Sequence, residues 1–169
     1  MAEHNQYLLD RAAIHDVLAR YFQGIDRCLE DQVRSCFTDD IEAYYDGRAP
    51  TKGITEMMAT MNTFKRKAAG AIVCTTHFMG NLNYIMLEGD AAETETNAIA
   101  FLVRPGNPSP QIAMRSLRYL DRLRRAGKEM GGGWRICARR HTLDWSCEMP
   151  ATFALPMAQR ISTVPPGNR

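Results

Sequence analysis

The histidine with the clearest chemical context is His77, in the middle of a long predicted strand over residues 72–87. Because side chains alternate along a strand, Thr75, Met79 and Asn81 share its face. Apolar bulk with a few polar groups is typical of a small-molecule pocket. A histidine in a strand is more often structural than catalytic, so the pattern predicts a pocket position and leaves its chemistry open.

Asp26 is the carboxylate that could serve this histidine. It continues the four-residue series Leu18, Phe22, Asp26 and so shares the interior face of the first helix, although an exposed position past the helix end is the alternative. A buried carboxylate bonded to one ring nitrogen fixes the tautomer and makes the other nitrogen a general base near neutral pH. If Asp26 and His77 meet, the pair can remove a proton from carbon or activate water. No nucleophilic Ser or Cys motif is visible, so proton transfer is the simpler prediction.

Two adjacent arginines, Arg139 and Arg140, lie in the last predicted strand, so one side chain points to each face of the sheet. An inward guanidinium could stabilise a developing anion such as a departing hydroxide, halide or carboxylate. Alternatively, both are solvated or pair with Asp144 or Glu148. The ten Lys and Arg residues between positions 104 and 140 predict a solvated outer face, because no nucleic-acid-binding motif accompanies them.

Tyrosines could add phenol groups to a pocket. Tyr21 lies on the apolar stripe of the first helix, whereas Tyr44 and Tyr45 are neighbours in a strand, so at most one of these two faces inward. The ten methionines are predicted to be core residues. The sequence has no P-loop, no dinucleotide-binding glycine motif and no cluster at metal-ligand spacing, so we expect no cofactor and no metal.

The elements that would position these residues begin with helices. Asp10 is predicted to cap a first helix whose apolar stripe ends near Asp26. The pattern then predicts a second helix over 29–36, a break at 38–40, a strand over 41–46, a loop over 47–53 and a third helix from Ile54 to Lys67.

After Gly70 the hydrophobic period becomes that of strands. Strands are predicted over 72–87, 92–103, 112–123 and 134–147, separated by a turn at 88–90, a proline-rich loop at 104–110 and a glycine-rich turn at 131–133. Helices followed by a meander of long strands predict an α+β fold, in which a curved antiparallel sheet and the N-terminal helices enclose a pocket.

Length and composition are consistent with one domain. The 169 residues, 45% hydrophobic and 24% charged, suffice for a packed core. The net charge of +2 predicts no nucleic-acid partner, and no apolar run reaches the roughly 20 residues of a membrane span. The N-terminal residues lack a signal-peptide pattern, and the five cysteines form neither a disulfide framework nor a zinc pattern. We therefore expect a cytoplasmic protein without a membrane partner.

Four segments together resemble the SnoaL-like branch of the nuclear-transport-factor-2-like (NTF2-like) superfamily: Arg11–Ile14, Tyr21–Asp26, Thr76–Leu82 and Trp134–Trp145. The resemblance covers roughly residues 8–147 and implies a cone-shaped α+β barrel around a deep cavity. It agrees with the fold predicted from the residues. We expect a SnoaL-like (NTF2-like) domain over 1–147 and a C-terminal tail, 148–169, that caps the pocket.

Cofactor-free lyases of this superfamily, dehydratases and dehydrochlorinases, use a helix-end aspartate and a strand histidine that takes a proton while a leaving group departs. By resemblance, His77 is the base, Asp26 its partner and Arg139 the group that assists departure. The substrate-binding candidates are Tyr21, Tyr45, Asn81 and His141.

The resemblance implies a cofactor-independent lyase, of the dehydratase or a related elimination type, acting on a small apolar cyclic or aromatic substrate. Three alternatives stay open: an isomerase or cyclase that uses the same base, a non-catalytic small (β) subunit of a ring-hydroxylating dioxygenase, and a binding protein for a hydrophobic metabolite. Because related lyases are trimers and other members are dimers, a homo-oligomer is expected.

Overall fold

Helices and strands divide the chain as the sequence predicts, with helices first and long strands afterwards. The computed structural model describes residues 2–45, 47–107, 110–127 and 132–150. Within them the elements are α1 (Ala2–Arg27), α2 (Glu30–Ser35), β1 (Phe37–Tyr45), β2 (Thr51–Lys52), α3 (Ile54–Thr60), α4 (Asn62–Ala68), β3 (Cys74–Glu88), β4 (Ala91–Arg104), β5 (Gln111–Arg125) and β6 (Trp134–Pro150).

The six strands form one curved, unclosed sheet in the order β2-β1-β6-β5-β4-β3. Strands β3 to β6 form an antiparallel meander, and β1 adds to β6 in the parallel direction. Helix α1 packs against β3 and β6 across the concave side. The predicted α+β class, with N-terminal helices on a curved and mostly antiparallel sheet, is confirmed.

The core lies between α1 and the concave face of the sheet. The predicted stripe on α1 is buried along its whole length, at Ile14, Val17, Leu18, Tyr21, Phe22 and Ile25. It meets the inward side chains of β4, β5 and β6, among them Ala98, Leu117 and Ile136. Complete burial of a large apolar side chain contributes about 1.5–3 kcal/mol, so this contact fixes the position of α1 on the sheet.

The predicted helix cap at Asp10 is wrong, because α1 begins at Ala2 and Asp10 lies inside it. The Asp10 carboxylate is buried and accepts hydrogen bonds from Trp134 Nε1 (3.0 Å) and Arg125 Nη2 (2.8 Å). Two of its partners therefore come from the sheet, and a third, Gln6 Nε2, donates from within α1 at 3.0 Å. The contact ties α1 to the hairpin formed by β5 and β6.

The C-terminal end of α1 sets the position of Asp26. The Leu29 N–H bonds to the Gly24 carbonyl (2.9 Å) while Cys28 adopts φ 57°, which is the Schellman arrangement. A Cβ at Gly24 would lie 2.7 Å from Val33 Cγ2, so glycine is needed for α2 to pack this closely. Asp26 consequently occupies the last turn of α1, at the concave face.

Residues 38–40 were predicted to form a break before a strand over 41–46, but they belong to that strand. β1 begins at Phe37, and Thr38 is fully buried. Strand pairing with β6 outweighs the low β propensity of Asp39 and Asp40. The single helix predicted from Ile54 to Lys67 is also wrong. Met61, with ψ 83°, separates α3 from α4, and β2 occupies part of the predicted loop.

The last strand is longer than predicted. β6 continues to Pro150, so residues 148–150 belong to the sheet and not to a tail. Residues 151–169 lie outside the described residues, and a capping role for them stays a prediction. Among the described helices, none is long and apolar enough to cross a membrane.

Candidate active site

The structure brings Asp26 and His77 into direct contact. Asp26 Oδ1 lies 2.7 Å from His77 Nδ1, and Oδ2 accepts the backbone N–H of the same histidine at 2.7 Å. The two side chains are 18% and 11% exposed, respectively. The Phe22 ring stacks on the imidazole with a centroid separation of 5.7 Å. The imidazole is thus held along its edge by a carboxylate and on its face by an aromatic ring.

The surroundings of Asp26 keep its carboxylate ionised. Burial by itself raises the pKa of Asp26, but the hydrogen bonds and charge of His77 together with the Thr75 hydroxyl outweigh it, and the net pKa is lowered. Thr75 Oγ1 donates to Oδ1 at 2.9 Å. Lys67 Nζ donates to the Ile25 and Asp26 carbonyls at 3.3 and 2.8 Å, which satisfies the C-terminal end of α1. An ionised Asp26 accepts the Nδ1 proton, so the lone pair of His77 resides on Nε2.

A cavity of about 120 Å³ lies beside Asp26 and His77, which are called the dyad below. The lining of the cavity includes apolar groups from the helix and the sheet, His77 and its neighbour Thr75, three tyrosines, a second histidine and two arginines. These residues are Tyr21, Ile25, Tyr45, Arg48, Met61, Asn62, Thr63, Thr75, His77, Ala100, Leu102, Arg115, Leu117, Tyr119 and His141. An engineered apolar cavity of about 150 Å³ takes up benzene, so this space suits one small ring.

Phenol groups form part of the cavity wall. Tyr21 and Tyr45 hydroxyls are 3.4 Å apart, and the His141 ring lies 5.3 Å from Tyr45 and 4.9 Å from Tyr119. Burial raises the pKa of Tyr21 well above its usual value and also raises that of Tyr119. Both phenols therefore stay protonated at neutral pH and can donate hydrogen bonds. Of the predicted candidates, Tyr21, Tyr45 and His141 line the cavity.

Arg139 faces the interior, as one of the two adjacent arginines must, but it does not line the cavity. Its Nε and Nη2 donate to Asp121 Oδ1 and Oδ2 at 2.8 and 2.7 Å, and neither side chain is exposed. Its guanidinium lies 4.0 Å from the Tyr21 ring centroid and 4.7 Å from that of Tyr119. Burial alone lowers the pKa of Arg139, but the Asp121 carboxylate outweighs this, so the charge persists. The predicted direct contact with a leaving group is not what the geometry shows.

Asn81 lies on the opposite side of β3 from His77, so its predicted position in the pocket is wrong. Between Met79 and Leu82 the register with β4 shifts, because Gly80 and Asn81 oppose the single residue Asn97. This bulge ends the strict alternation that placed Asn81 beside His77. Asn81 is exposed, and Leu82 takes the inward position instead.

Sequence reasoning missed Arg115 and Tyr119 in the cavity wall. Both lie on β5 in the same alternating set as Ala113 and Leu117, which are buried. The alternation of side chains along β5 could therefore have predicted that Arg115 and Tyr119 face the cavity. The predicted solvated outer face therefore holds for Arg118, which pairs with Glu95 and Asp144 outside, but not for Arg115 or Arg139.

Two larger depressions contain no comparable group. They have volumes of about 930 and 400 Å³ and lie beside α1 and on the outer face of the sheet, respectively, and neither is lined by a histidine. Within the described residues, no three His, Cys, Asp or Glu side chains converge as metal ligands. The site around Asp26 and His77 thus offers acid–base groups and hydrogen-bond donors on an apolar cavity, which suits proton transfer.

The protein is thus an α+β protein with a cavity beside a helix-end aspartate that is bonded to a strand histidine. Sequence comparison shows to which family it belongs. The profile of the SnoaL-like domain matches residues 6–140. The chain belongs to the SnoaL-like family, within the NTF2-like superfamily. Comparison with curated proteins finds no significant match.

Solved structures share the fold at low sequence identity. A candidate scytalone dehydratase from Novosphingobium aromaticivorans is 16% identical, with a TM-score of 0.69 over 87% of this chain and 91% of that chain. A hexachlorocyclohexane dehydrochlorinase (LinA) of type 2 is 19% identical, with a TM-score of 0.70 over 95% and 97%. A candidate aromatic ring hydroxylase from Novosphingobium aromaticivorans is 22% identical, with a TM-score of 0.69 over 84% and 94%.

Proposed function

We propose that this protein is a cofactor-independent lyase that removes a proton from a carbon atom of a small apolar cyclic or aromatic substrate, with loss of water or another small group. The contact of 2.7 Å between Asp26 Oδ1 and His77 Nδ1, at the wall of the cavity, carries the proposal. Asp26 fixes the tautomer with the lone pair on Nε2, and that nitrogen acts as the base.

The phenols are proposed to assist the leaving group. As the C–H bond breaks, negative charge passes to the departing oxygen or halide, and a protonated phenol can stabilise it by hydrogen bonding. Tyr21 and Tyr45 supply such donors on the cavity wall, with His141 beside them. In this proposal Arg139 acts by holding the Tyr21 and Tyr119 rings, not by touching the substrate.

Two further facts support a lyase over the alternatives. The similar structures include a dehydrochlorinase and a candidate dehydratase, and both names describe eliminations. A structural subunit or a binding protein needs no ordered base, whereas Asp26 uses both carboxylate oxygens to fix His77. An isomerase or cyclase would use the same base, and analysis of the product separates it from a lyase.

The test compares wild-type protein with His77→Ala and Asp26→Asn on three substrates. Hexachlorocyclohexane would lose HCl and scytalone would lose water. In 5-nitrobenzisoxazole, removal of the ring C–H proton breaks the N–O bond and gives a coloured cyanophenolate. We expect elimination of at least one substrate and a loss of about 10²–10⁴-fold in kcat/KM in both variants.

The matched control is His15→Ala, because His15 is exposed on α1 and its side chain is 57% accessible. Circular dichroism confirms that each variant is folded. Wild-type rates in both folded variants, His77→Ala and Asp26→Asn, would contradict the proposal.

The expected homo-oligomer, a trimer or a dimer, also stays a prediction, and light scattering of the purified chain measures it.

A further inference from the structure

Arg115 is one of two arginines, with Arg48, in a cavity wall that is otherwise made mainly of apolar and neutral polar residues. It lies on β5 between the buried residues Ala113 and Leu117, and it is half-buried. Its guanidinium has no hydrogen bond or ion pair to any residue that the structure describes. A half-buried guanidinium without a carboxylate has lost water without gaining a partner, so an anion in the cavity would stabilise it.

The charges around Arg115 increase this imbalance. Burial has the largest effect and lowers the pKa of Arg115. The positive charges of Arg104, Arg66 and Arg48 lower it further, and the negative charge of Glu148 opposes them. Glu148 is itself bonded to Arg104 at 2.7 Å. Arg48 also lines the cavity and uses Nη1 to donate to the Thr60 carbonyl at 3.0 Å. The Glu148 carboxylate is thus already bonded to Arg104, and the structure shows no hydrogen bond between it and Arg115.

The remaining C-terminal sequence does not supply the missing negative side chains. Residues 151–169 contain two arginines and no Asp or Glu. Whatever position this segment takes, its side chains bring no carboxylate to Arg115. Among the residues that the structure describes, the charges at the cavity are mainly positive, and such a balance favours an anionic ligand over a neutral one.

We propose that the substrate of this site is a ring compound that carries a carboxylate, which Arg115 binds while the ring occupies the cavity beside His77. A planar guanidinium pairs with a carboxylate through two parallel hydrogen bonds, and one small ring matches the cavity volume of about 120 Å³. The inference rests on the proposed function in treating this cavity as the substrate site. It keeps the cyclic or aromatic ring of the proposed substrate and adds to it a charged carboxylate group.

Titration calorimetry with benzoate and benzamide, which have the same ring and differ in charge, tests the proposal. We expect wild-type protein to bind benzoate at least about tenfold more tightly than benzamide, a difference of 1.4 kcal/mol. Arg115→Gln should remove that preference, and Arg115→Lys should restore part of it. Arg118→Gln is the matched control, because Arg118 lies on the same strand and pairs outside the cavity with Glu95 and Asp144.

The outcomes separate this inference from the proposed function. His15→Ala should bind benzoate as the wild type does, since His15 is exposed on α1 and does not line the cavity. If the protein eliminates 5-nitrobenzisoxazole but shows no saturable benzoate binding below about 10 mM, the proposed lyase function stands and the proposed carboxylate substrate is wrong. Equal binding of benzoate and benzamide, equal weakening by Arg118→Gln, or tighter binding of inorganic phosphate than of benzoate would also overturn it. Benzoate binding without any elimination would support the anion site and count against the lyase.

Discussion

Arg139 and Asp121 form a bidentate ion pair in which neither side chain has any exposed surface. The pair joins β6 to β5, and the guanidinium is stacked close to the Tyr21 ring. Its hydrogen-bond donors Nε and Nη2 thus serve a neighbouring strand and not the cavity. An arginine whose type and position suggest catalysis is here a link within the core.

Removal of one member of this pair should be costly. Arg139→Met leaves the Asp121 carboxylate buried without its partner, and we expect the free energy of unfolding to fall by about 3–5 kcal/mol. The double variant Arg139→Met/Asp121→Leu should recover most of that loss, because no buried charge remains. Urea unfolding measures both values, and Arg140→Met, at an exposed site on the same strand, serves as control with a change below about 0.5 kcal/mol.

The double variant Arg139→Met/Asp121→Leu also tests whether Arg139 has a direct catalytic role. If it is folded and retains elimination within about tenfold of wild type, Arg139 does not touch the leaving group. A folded double variant that loses as much activity as His77→Ala would contradict the placement of Arg139 outside the reaction.

Thr75 should act as a positioning residue for the dyad. Thr75→Val removes the hydroxyl that donates to Asp26 Oδ1 and keeps the side-chain shape. We expect kcat to fall about tenfold, with KM within about twofold, since a hydrogen bond to a charged group is worth about 1.5–3 kcal/mol. Thr76→Val changes the exposed neighbour and should have no effect. A change in KM alone in Thr75→Val would mean that the hydroxyl binds substrate instead.

Acid should weaken the attachment of α1 through Asp10. Burial raises the pKa of Asp10, but hydrogen bonds from Trp134, Arg125 and Gln6 outweigh it and lower the net value below 3.8. Asp10 therefore stabilises the fold fully above about pH 4, and this contribution is lost as the pH falls through the lowered pKa. Asp10→Asn should cost about 1–3 kcal/mol at pH 7 and reduce the acid dependence below pH 4.

The matched variant for this test is Asp16→Asn, also on α1, whose side chain is 78% exposed. Thermal unfolding followed from pH 2 to pH 7 compares the slopes, and Asp16→Asn should follow the wild-type curve. An acid dependence in Asp10→Asn as steep as in the wild type would show that the carboxylate is not responsible.

The bulge in β3 predicts that Asn81 has no part in substrate binding. Asn81→Ala should leave kcat/KM within about twofold of wild type, because the side chain is exposed on the far side of the strand. Tyr45→Phe, which removes a hydroxyl from the cavity wall, should lower kcat about tenfold. Steady-state kinetics of the two variants shows which side chain faces the substrate. A large loss of kcat/KM in Asn81→Ala would be incompatible with the register of β3 and β4.

Periodicity predicted only some of the site residues that lie on regular elements. Alternation on β3 placed Thr75 and His77 on one face, and this prediction is correct because β3 is regular up to Met79. The four-residue series on α1 left Asp26 either at the interior face or exposed past the helix end, and the structure shows the interior position because α1 is uninterrupted up to Asp26. The family resemblance added the expectation that the two elements meet.

The remaining features depend on contacts between distant segments. Asp10 is satisfied by Trp134, and Arg139 by Asp121, so neither role can be deduced from local sequence. The low β propensity around Asp39 concealed the start of β1, because the parallel pairing with β6 that stabilises it joins segments about a hundred residues apart.

Redesign of the pocket must follow the two irregularities of β3. A second register shift after Tyr84 adds another unpaired residue, Ile85, and reverses the effect of the first. The cavity side of the strand therefore uses odd positions, then even positions, then an odd position again: 75, 77 and 79, then 82 and 84, then 87. A library that varies every second residue from Thr75 onward would alter the binding surface at its start and only the solvent-facing side at Asn81 and Asn83.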